Sequence, residues 1–472
     1  MASAVSTVES LPEGVLEALK MSLRGQALVP GDLGYESVRP PYNAMHPDQP
    51  SLVVSCTGTA DVVDAVNFGR EHGLEVTVRA GGHSIAGLST ANRGLLIDLA
   101  PMNGVWVDRE RKLAHVQGGA LWGDLDREAQ LYGLATPGGM ISDTGVGGLT
   151  LGGGVGWLRR KHGLSCDNVV AAEVVLASGE VVTASADENP DLLWALKGGG
   201  GNFGVVSSFT FRLHPVGPIV AFAGVFYPVG DAATILRGFR QYMKSAPDEV
   251  TPIAIPLTLP ADPHLPEPVH NQEVLIVGAV YAGEAEQGMG VLQPLRELAV
   301  PLADISQPMP YRMVQSAFDG FFPRQQIHSY WKSTYVPEFS DALIDLAAAM
   351  MQERPAPLSG VIVWPMDGQV NRFAEEESAY GERSAPYMIS VEANWAEGDA
   401  DAMVGWARET WSRISEFGTG TTYLNFTGLS EETTETGVDA AFGAKLERLA
   451  KIKAHYDPGN FFHRNNNIAP AA

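Results

Sequence analysis

The chain has 472 residues, 45% apolar and 18% charged, a composition too apolar for disorder and long enough for two to three compact units. Its 32 basic residues stand against 55 acidic ones, and a net charge of −23 repels nucleic-acid phosphates and anionic membranes at long range. Cys56 and Cys166 are the only cysteines, with no CxxC pair and no long apolar run, which disfavours a disulfide framework, a zinc site and a membrane span.

The first residues, "MASAVSTVES", lack the basic-then-apolar pattern of an export signal, so a soluble cytoplasmic protein is expected. Leu11 to Arg24 has helical spacing of apolar positions. "SLVVSC", "TADVVDAVNFGREHG" and "LEVTVRAGG" then read as strand, helix and strand, a β-α-β unit whose second strand delivers the loop "RAGGHS" around His83. Strand and helix signals alternate through "GLLIDLAPM", "GVWVDRERKLAHVQGG" and "LWGDLDREAQLYG". "VVAAEVVLASGEVVTAS" reads as a hairpin, and "NPDLLWALKGGGGNFGVVSSFTFRLHPV" as a short helix, a glycine-rich turn and a long strand.

Residues 218–420 change character. Strands such as "IVAFAGVFYPV", "NQEVLIVGAVYAG", "GVIVWPM" and "PYMISVEANW" alternate with amphipathic helices and no glycine-rich crossovers, which predicts an antiparallel sheet covered on one face by helices. A proline-rich loop is expected from Pro247 to Pro268. The last 50 residues carry "TYLNF", read as a strand, a long helix "VDAAFGAKLERLAKIKAHYDP" and the aromatic tail "GNFFHRNNNIAP", expected to pack back on the first block.

Three glycine-rich segments, "RAGGHS", "TGVGGLTLGGGVG" and "GGGGNFG", fall within about 125 residues of one another, each flanked by a strand. Together they fit a large phosphate-bearing cofactor held by backbone amides rather than by basic side chains, which suits the acidic composition. A nicotinamide-type Rossmann turn is disfavoured, because no acidic residue follows a strand-turn-helix glycine motif at the needed spacing. His83 and Cys166 each stand at the edge of one of these segments, a nitrogen and a sulfur nucleophile beside the same expected cradle.

At this point the chain resembles the berberine-bridge-enzyme-like flavin oxidases, of the vanillyl-alcohol-oxidase type of FAD fold. "VRAGGHSIAGLS" is similar to that family's histidyl-attachment loop, and "GLSCDNVVAAEVV" to its cysteinyl-attachment site. "PGGMISDTGVGGLTLGGGVGWLRRKHG" and "LKGGGGNFGVV" match its other FAD-contacting segments, and "YDPGNFFHRNNNI" its C-terminal signature, with Asn467 where glutamine is more usual. The resemblance implies an α+β chain: an FAD-binding domain from residues 1–217 completed by 421–472, and a substrate domain from 218–420. It implies FAD attached through His83 and Cys166. The cofactor-binding set comprises Arg79, Ala80, Gly81, Gly82, Ser84, Gly145, Gly148, Asn202, Gly204, Asn465 and Asn467, with Val169 as the residue that gates oxygen.

The implied activity is an oxidase for a small-molecule alcohol or amine, with hydride transfer to the flavin N5 and reduction of O2 to H2O2. Such a reaction needs a base for the hydroxyl or amine proton. In many relatives this is the last tyrosine of a Y-x-N-Y strand, a position held here by Phe426. Strand alternation would send Tyr423 and Asn425 to the face opposite Phe426. Glu392, sharing one face of its strand with Met388 and Ser390, is the candidate base, with Asp367 as a weaker one; alternatively no base is present and the substrate is acidic enough by itself, as a phenol or hydroquinone is. A dehydrogenase using another acceptor, and a flavin-carrying binding protein with little turnover, remain open alternatives.

Overall fold

The computed structural model describes residues 11–432 and 437–472. The reading of residues 1–10 as free of an export pattern lies outside this set. Among the described residues no helix is long and apolar enough to cross a membrane.

The apolar runs near the N-terminus become a four-stranded sheet of β1 (Gln26–Leu28), β2 (Leu52–Ser55), β3 (Val76–Arg79) and β4 (Leu95–Asp98), in the order β1-β2-β4-β3. Both β2 and β3 pair with β4 in parallel. The helix Thr59–Glu71 crosses between β2 and β3, so the β-α-β unit forms where the spacing placed it. The first helix is shorter than its apolar pattern, Val15–Ser22.

A second, antiparallel sheet follows. It contains β5 (Val105–Asp108), β6 (Leu113–Gln117), β8 (Val169–Val175), β9 (Val181–Ser185) and β10 (Val205–Arg212), in the order β5-β6-β10-β8-β9. The expected hairpin is β8-β9. A two-residue ribbon joins β7 (Leu134–Ala135) to β11 (His214–Pro215).

The remaining strands form one antiparallel sheet of eight: β12 (Ile219–Pro228), β13 (Val250–Thr258), β14 (Glu273–Tyr281), β15 (Ala303–Asp304), β16 (Gln307–Pro310), β17 (His328–Val336), β18 (Gly360–Pro365) and β19 (Tyr387–Trp395). Helices Ala232–Met243, Asp341–Gln352 and Ala400–Ser415 cover one face through Ala254, Val361, Ile389 and Val391. Alternate residues Ile253, Ile255, Ile362, Trp364 and Met388 point the other way, toward the glycine-rich segments. Covered on both sides, β19 is buried at all nine positions, which is why its polar residues Ser390, Glu392 and Asn394 carry so much information.

Three expectations are corrected. The proline-rich loop is in part β13, which keeps its ladder to β14 but meets β18 only at Ala254–Val363; Pro252 and Pro256, flanking Ala254, have no N–H to donate. The long C-terminal helix is broken into Val438–Phe442 and Leu446–Tyr456, because Gly443 takes a positive φ of 50° between them. "TYLNF" is not a strand: Phe426 N donates to Tyr423 O at 2.8 Å, closing a turn.

Candidate active site

The eight-stranded sheet roofs a cavity of about 320 Å3 whose floor is built from the three glycine-rich segments. The first two touch backbone to backbone. A Cβ on Gly81 would lie 2.3 Å from Gly145 N, and one on Gly145 would lie 2.2 Å from Gly81 N, so neither position tolerates a side chain. Ala80, Gly81, Gly82, His83 and Ser84 of the first segment line the cavity, with Gly145 and Gly148 of the second and Gly204 of the third. From the C-terminal tail come Arg464, Asn465 and Asn466.

This wall fits a dinucleotide. Gly148 and Gly201 face open space where a Cβ would project, and the buried Oδ1 atoms of Asn465 and Asn466 have no partner, leaving acceptors turned into a site built for a polar guest. Among the lining residues Arg464 is the only arginine or lysine and Glu392 the only carboxylate. The cavity wall is thus poor in basic side chains and rich in glycine backbone.

His83 is held by two neighbours. Its ring stacks on Tyr42 with centroids 3.8 Å apart and planes at 18°, and Nε2 meets Asp143 Oδ1 at 2.7 Å. Burial lowers the imidazole pKa, offset in part by Asp143, so the ring is neutral near neutral pH. Burial acts on Asp143 in the opposite sense, but the His83 hydrogen bond and the Arg324 charge outweigh it and hold the carboxyl below its usual range.

Cys166 is placed differently. It sits in a short 3-10 turn behind the Gly152–Val155 stretch, its N–H bonded to Gly153 O at 2.9 Å, and is absent from the cavity wall although it packs with Val155 and Tyr423, which are on it. Burial pushes its thiol pKa well up. Its neighbour Asp167, 3.7 Å from Sγ at Oδ1, is gripped by the buried Arg383 through contacts of 2.6 and 2.9 Å.

On the roof, Met388, Ser390 and Glu392 share the cavity side of β19 as the alternation implied. Glu392 lines the cavity, and its Oε1 accepts from Ser390 Oγ at 2.7 Å, while Trp364 Nε1 donates to Ser390 Oγ at 2.9 Å. Burial raises the Glu392 pKa to about 8, the serine hydrogen bond offsetting it only in part. Ile253, Ile255, Ile362, Trp331, Trp364 and Phe426 make the surrounding roof apolar. Asp367 is engaged elsewhere, in a paired contact with Arg160 at 2.8 and 3.1 Å.

Other expected residues serve the cradle from behind it. The Arg79 guanidinium turns into the first sheet, 3.1 Å from Asp98 Oδ1, and also donates to Arg39 O at 3.0 Å, fixing the end of β3. Asn202 welds the third glycine segment to the tail through Gly199 O, Asn466 O and Ile468 N. Asn467 stands off the wall, and Val169 lines a smaller cavity of about 220 Å3 with Lys197 and Phe373 instead of the large one.

Because "TYLNF" turns, Tyr423, Asn425 and Phe426 all reach the same cavity, against the alternation argument. The Tyr423 hydroxyl accepts from Gly154 N at 3.1 Å and Asn425 Nδ2 at 2.8 Å, and burial pushes its pKa up to about 12. Sequence reasoning missed Tyr42, Asp143, Arg324, Trp331 and Trp364. No spacing rule connects them to His83 or Glu392, because each arrives from a different loop or strand of the chain.

A cavity floored by glycines, capped by an apolar sheet and furnished with one imidazole and one carboxyl fits a flavin-dependent oxidoreductase. Residues 50–185 match the family described as FAD binding domain, and residues 422–469 the family described as Berberine and berberine like. An FAD-linked oxidoreductase of Dictyostelium discoideum is 31% identical over 428 residues, covering 89% of each chain. The (R)-6-hydroxynicotine oxidase of Paenarthrobacter nicotinovorans is 29% identical over 473 residues, covering 96% of this chain and 98% of that one. The solved structure of 6-hydroxy-D-nicotine oxidase from Arthrobacter nicotinovorans superposes with a TM-score of 0.82 at 27% identity, over 96% of this chain and 99% of that one. The chain belongs to the berberine-bridge-enzyme-like FAD-linked oxidoreductases.

Proposed function

We propose that this protein is an oxidase that carries FAD in the glycine-floored cavity, tethered through His83 and Cys166, and that oxidises an alcohol or amine carbon of a small, largely apolar molecule. The reading rests above all on one juxtaposition: a neutral imidazole on the glycine side of the cavity and a single buried carboxyl, Glu392, on its apolar roof. Bound FAD supplies a two-electron acceptor that passes its electrons to O2 and gives H2O2.

The chain's own residues divide the remaining work. Trp331, Trp364, Phe426 and the isoleucines take the apolar body of the substrate and exclude water. Glu392 takes the hydroxyl or amine proton; a carboxylate whose pKa is lifted toward 8 is a far stronger base than an exposed one, and Ser390 fixes its orientation. Tyr423, with both hydroxyl acceptor positions engaged, shapes the wall beside Phe426. Residues 1–217 with 421–472 make the FAD-binding part and 218–420 the substrate part, in a cytoplasmic setting.

A second reading, a dehydrogenase with another electron acceptor, is favoured by one observation: Val169, the expected oxygen gate, packs away from the large cavity. Anaerobic reduction by a panel of aromatic alcohols and amines, followed by admission of air, separates the readings. Rapid return of the yellow colour with one H2O2 per turnover supports the oxidase; slow return supports the dehydrogenase. Failure of every alcohol and amine to bleach the flavin overturns both. Intact mass after acid denaturation tests the tether, with wild type beside His83→Ala, Cys166→Ala and the double variant. FAD mass retained in the wild type and both single variants but lost in the double is expected, and a wild type that releases its FAD overturns it.

A further inference from the structure

We propose that Asp143, itself held by Arg324, is a positioning residue that fixes His83 with its ring proton on Nε2 and so leaves the lone pair on Nδ1. For its consequence the proposal rests on the tether reading above; the tautomer itself rests on the His83–Asp143 contact together with the ionised state of Asp143. The Nε2···Oδ1 distance is 2.7 Å, and an ionised carboxylate can only accept, so Nε2 is the donor. In a neutral imidazole the other nitrogen then holds the free lone pair. With FAD bound, its bond to a flavin ring-methyl carbon would replace a C–H bond, the proton leaving to solvent and the two electrons staying on the flavin until O2 takes them. Tyr42, stacked at 3.8 Å, limits tilt of the ring; a half-turn would keep the stack but forfeit the Asp143 hydrogen bond.

Arg324 comes from the connection between β16 and β17, on the substrate side of the molecule. Its Nη1 lies 3.4 Å from both Asp143 Oδ2 and Asp143 O, and its Nη2 donates to Gly81 O, two residues before His83. From the same connection Asp319 accepts from Ser142 N at 2.8 Å and Ser142 Oγ at 2.5 Å. Gln325 N donates to Tyr42 O at 2.8 Å, and Tyr42 N to Gly82 O at 2.9 Å. One segment thus grips the loop that presents Asp143, the loop that presents His83 and the backbone of Tyr42, on whose ring His83 stacks. The Arg324 and Asp143 side chains are about a third exposed, at 37% and 31%, where an ion pair adds little to stability, so orientation is the better account of the pair. The charged groups facing His83 are Asp143, Arg324 and Asp319.

The discriminating variant is Asp143→Asn. An amide is nearly isosteric, so a merely structural role would tolerate it, but its NH2 can donate to Nε2 and draw the ring proton to Nδ1. The full chain, labelled with 15N-histidine and prepared without flavin, reports the His83 ring nitrogens, assigned by His83→Gln. In parallel, FAD is added to apoprotein in a Cys166→Ala background, so that only the histidine link counts, and the rate of acid-stable flavin retention is followed. The expected result is an Nε2 proton in wild type, its transfer toward Nδ1 in Asp143→Asn, and attachment roughly 10–100-fold slower in that variant, with a smaller loss in Arg324→Lys. An Nδ1 proton in the unsubstituted chain, or an Asp143→Asn variant that attaches at the parent rate, overturns the proposal. If no covalent flavin forms in any variant, the tether reading falls and the ring-nitrogen shifts alone decide the positioning role.

Discussion

The two nucleophiles beside the cradle occupy opposite environments. His83 lines the cavity, neutral, with one ring nitrogen engaged by an ionised carboxylate. Cys166 lies one layer back, its thiol kept protonated by burial, and the carboxylate beside it is turned toward Arg383. A histidine becomes a nucleophile by losing charge, which burial favours; a cysteine must gain charge, which burial opposes. The same desolvation therefore readies one side chain and restrains the other; if FAD is tethered as proposed, bond formation at His83 should precede bond formation at Cys166.

The largest difference is expected between His83→Ala and Cys166→Ala. Time-resolved intact mass should show attachment fast in Cys166→Ala and slow in His83→Ala; equal rates would mean that burial does not control the thiol. Next in size is Glu392→Gln, expected to lower kcat/KM by roughly 10²–10⁴-fold, the range for a general base. In the wild type kcat/KM should rise with pH and level off above about 8, and the variant should lose that limb. Stability moves the other way. A carboxyl whose folded pKa exceeds its unfolded value of 4.5 favours folding while protonated, so stability contributed by Glu392 declines from about pH 4.5 to about 8. Glu392→Gln should accordingly flatten that decline in a thermal-melt series.

Arg383→Met strands Asp167 as a buried charge. A loss of about 3–5 kcal/mol is expected from removing one partner of a buried pair, read by denaturant unfolding, with slower labelling at Cys166 and unchanged attachment at His83. The smallest effect belongs to Tyr423→Phe. It leaves Gly154 N without its acceptor and should cost about 1–3 kcal/mol, again disturbing the cysteine side and sparing the histidine side.

Much of this was legible in the chain. The β-α-β unit before His83, the β8-β9 hairpin and the antiparallel sheet all follow from apolar period and turn residues, and the parity of Glu392 with Ser390 and Met388 follows from strand alternation. The same rule misled at Tyr423 and Phe426, because alternation holds only where a strand exists, and four residues cannot reveal whether a neighbouring strand will pair with them. The family resemblance put Arg79 among the cofactor-binding residues; only the position of Asp98 on β4 turns it into a sheet anchor.

Local period and residue size alone set the glycine pattern, the two nucleophiles and the face of β19 that carries a carboxyl. Tertiary structure alone decided that Asp143 and Arg324, 60 and 241 positions along the chain from His83, converge on it, that Cys166 stands behind the wall rather than on it, and that Glu392 is desolvated. Those facts depend on which surfaces meet. Electrostatics and nucleophilicity are properties of the assembled surroundings, and no local pattern encodes a distance between segments that the fold alone brings together.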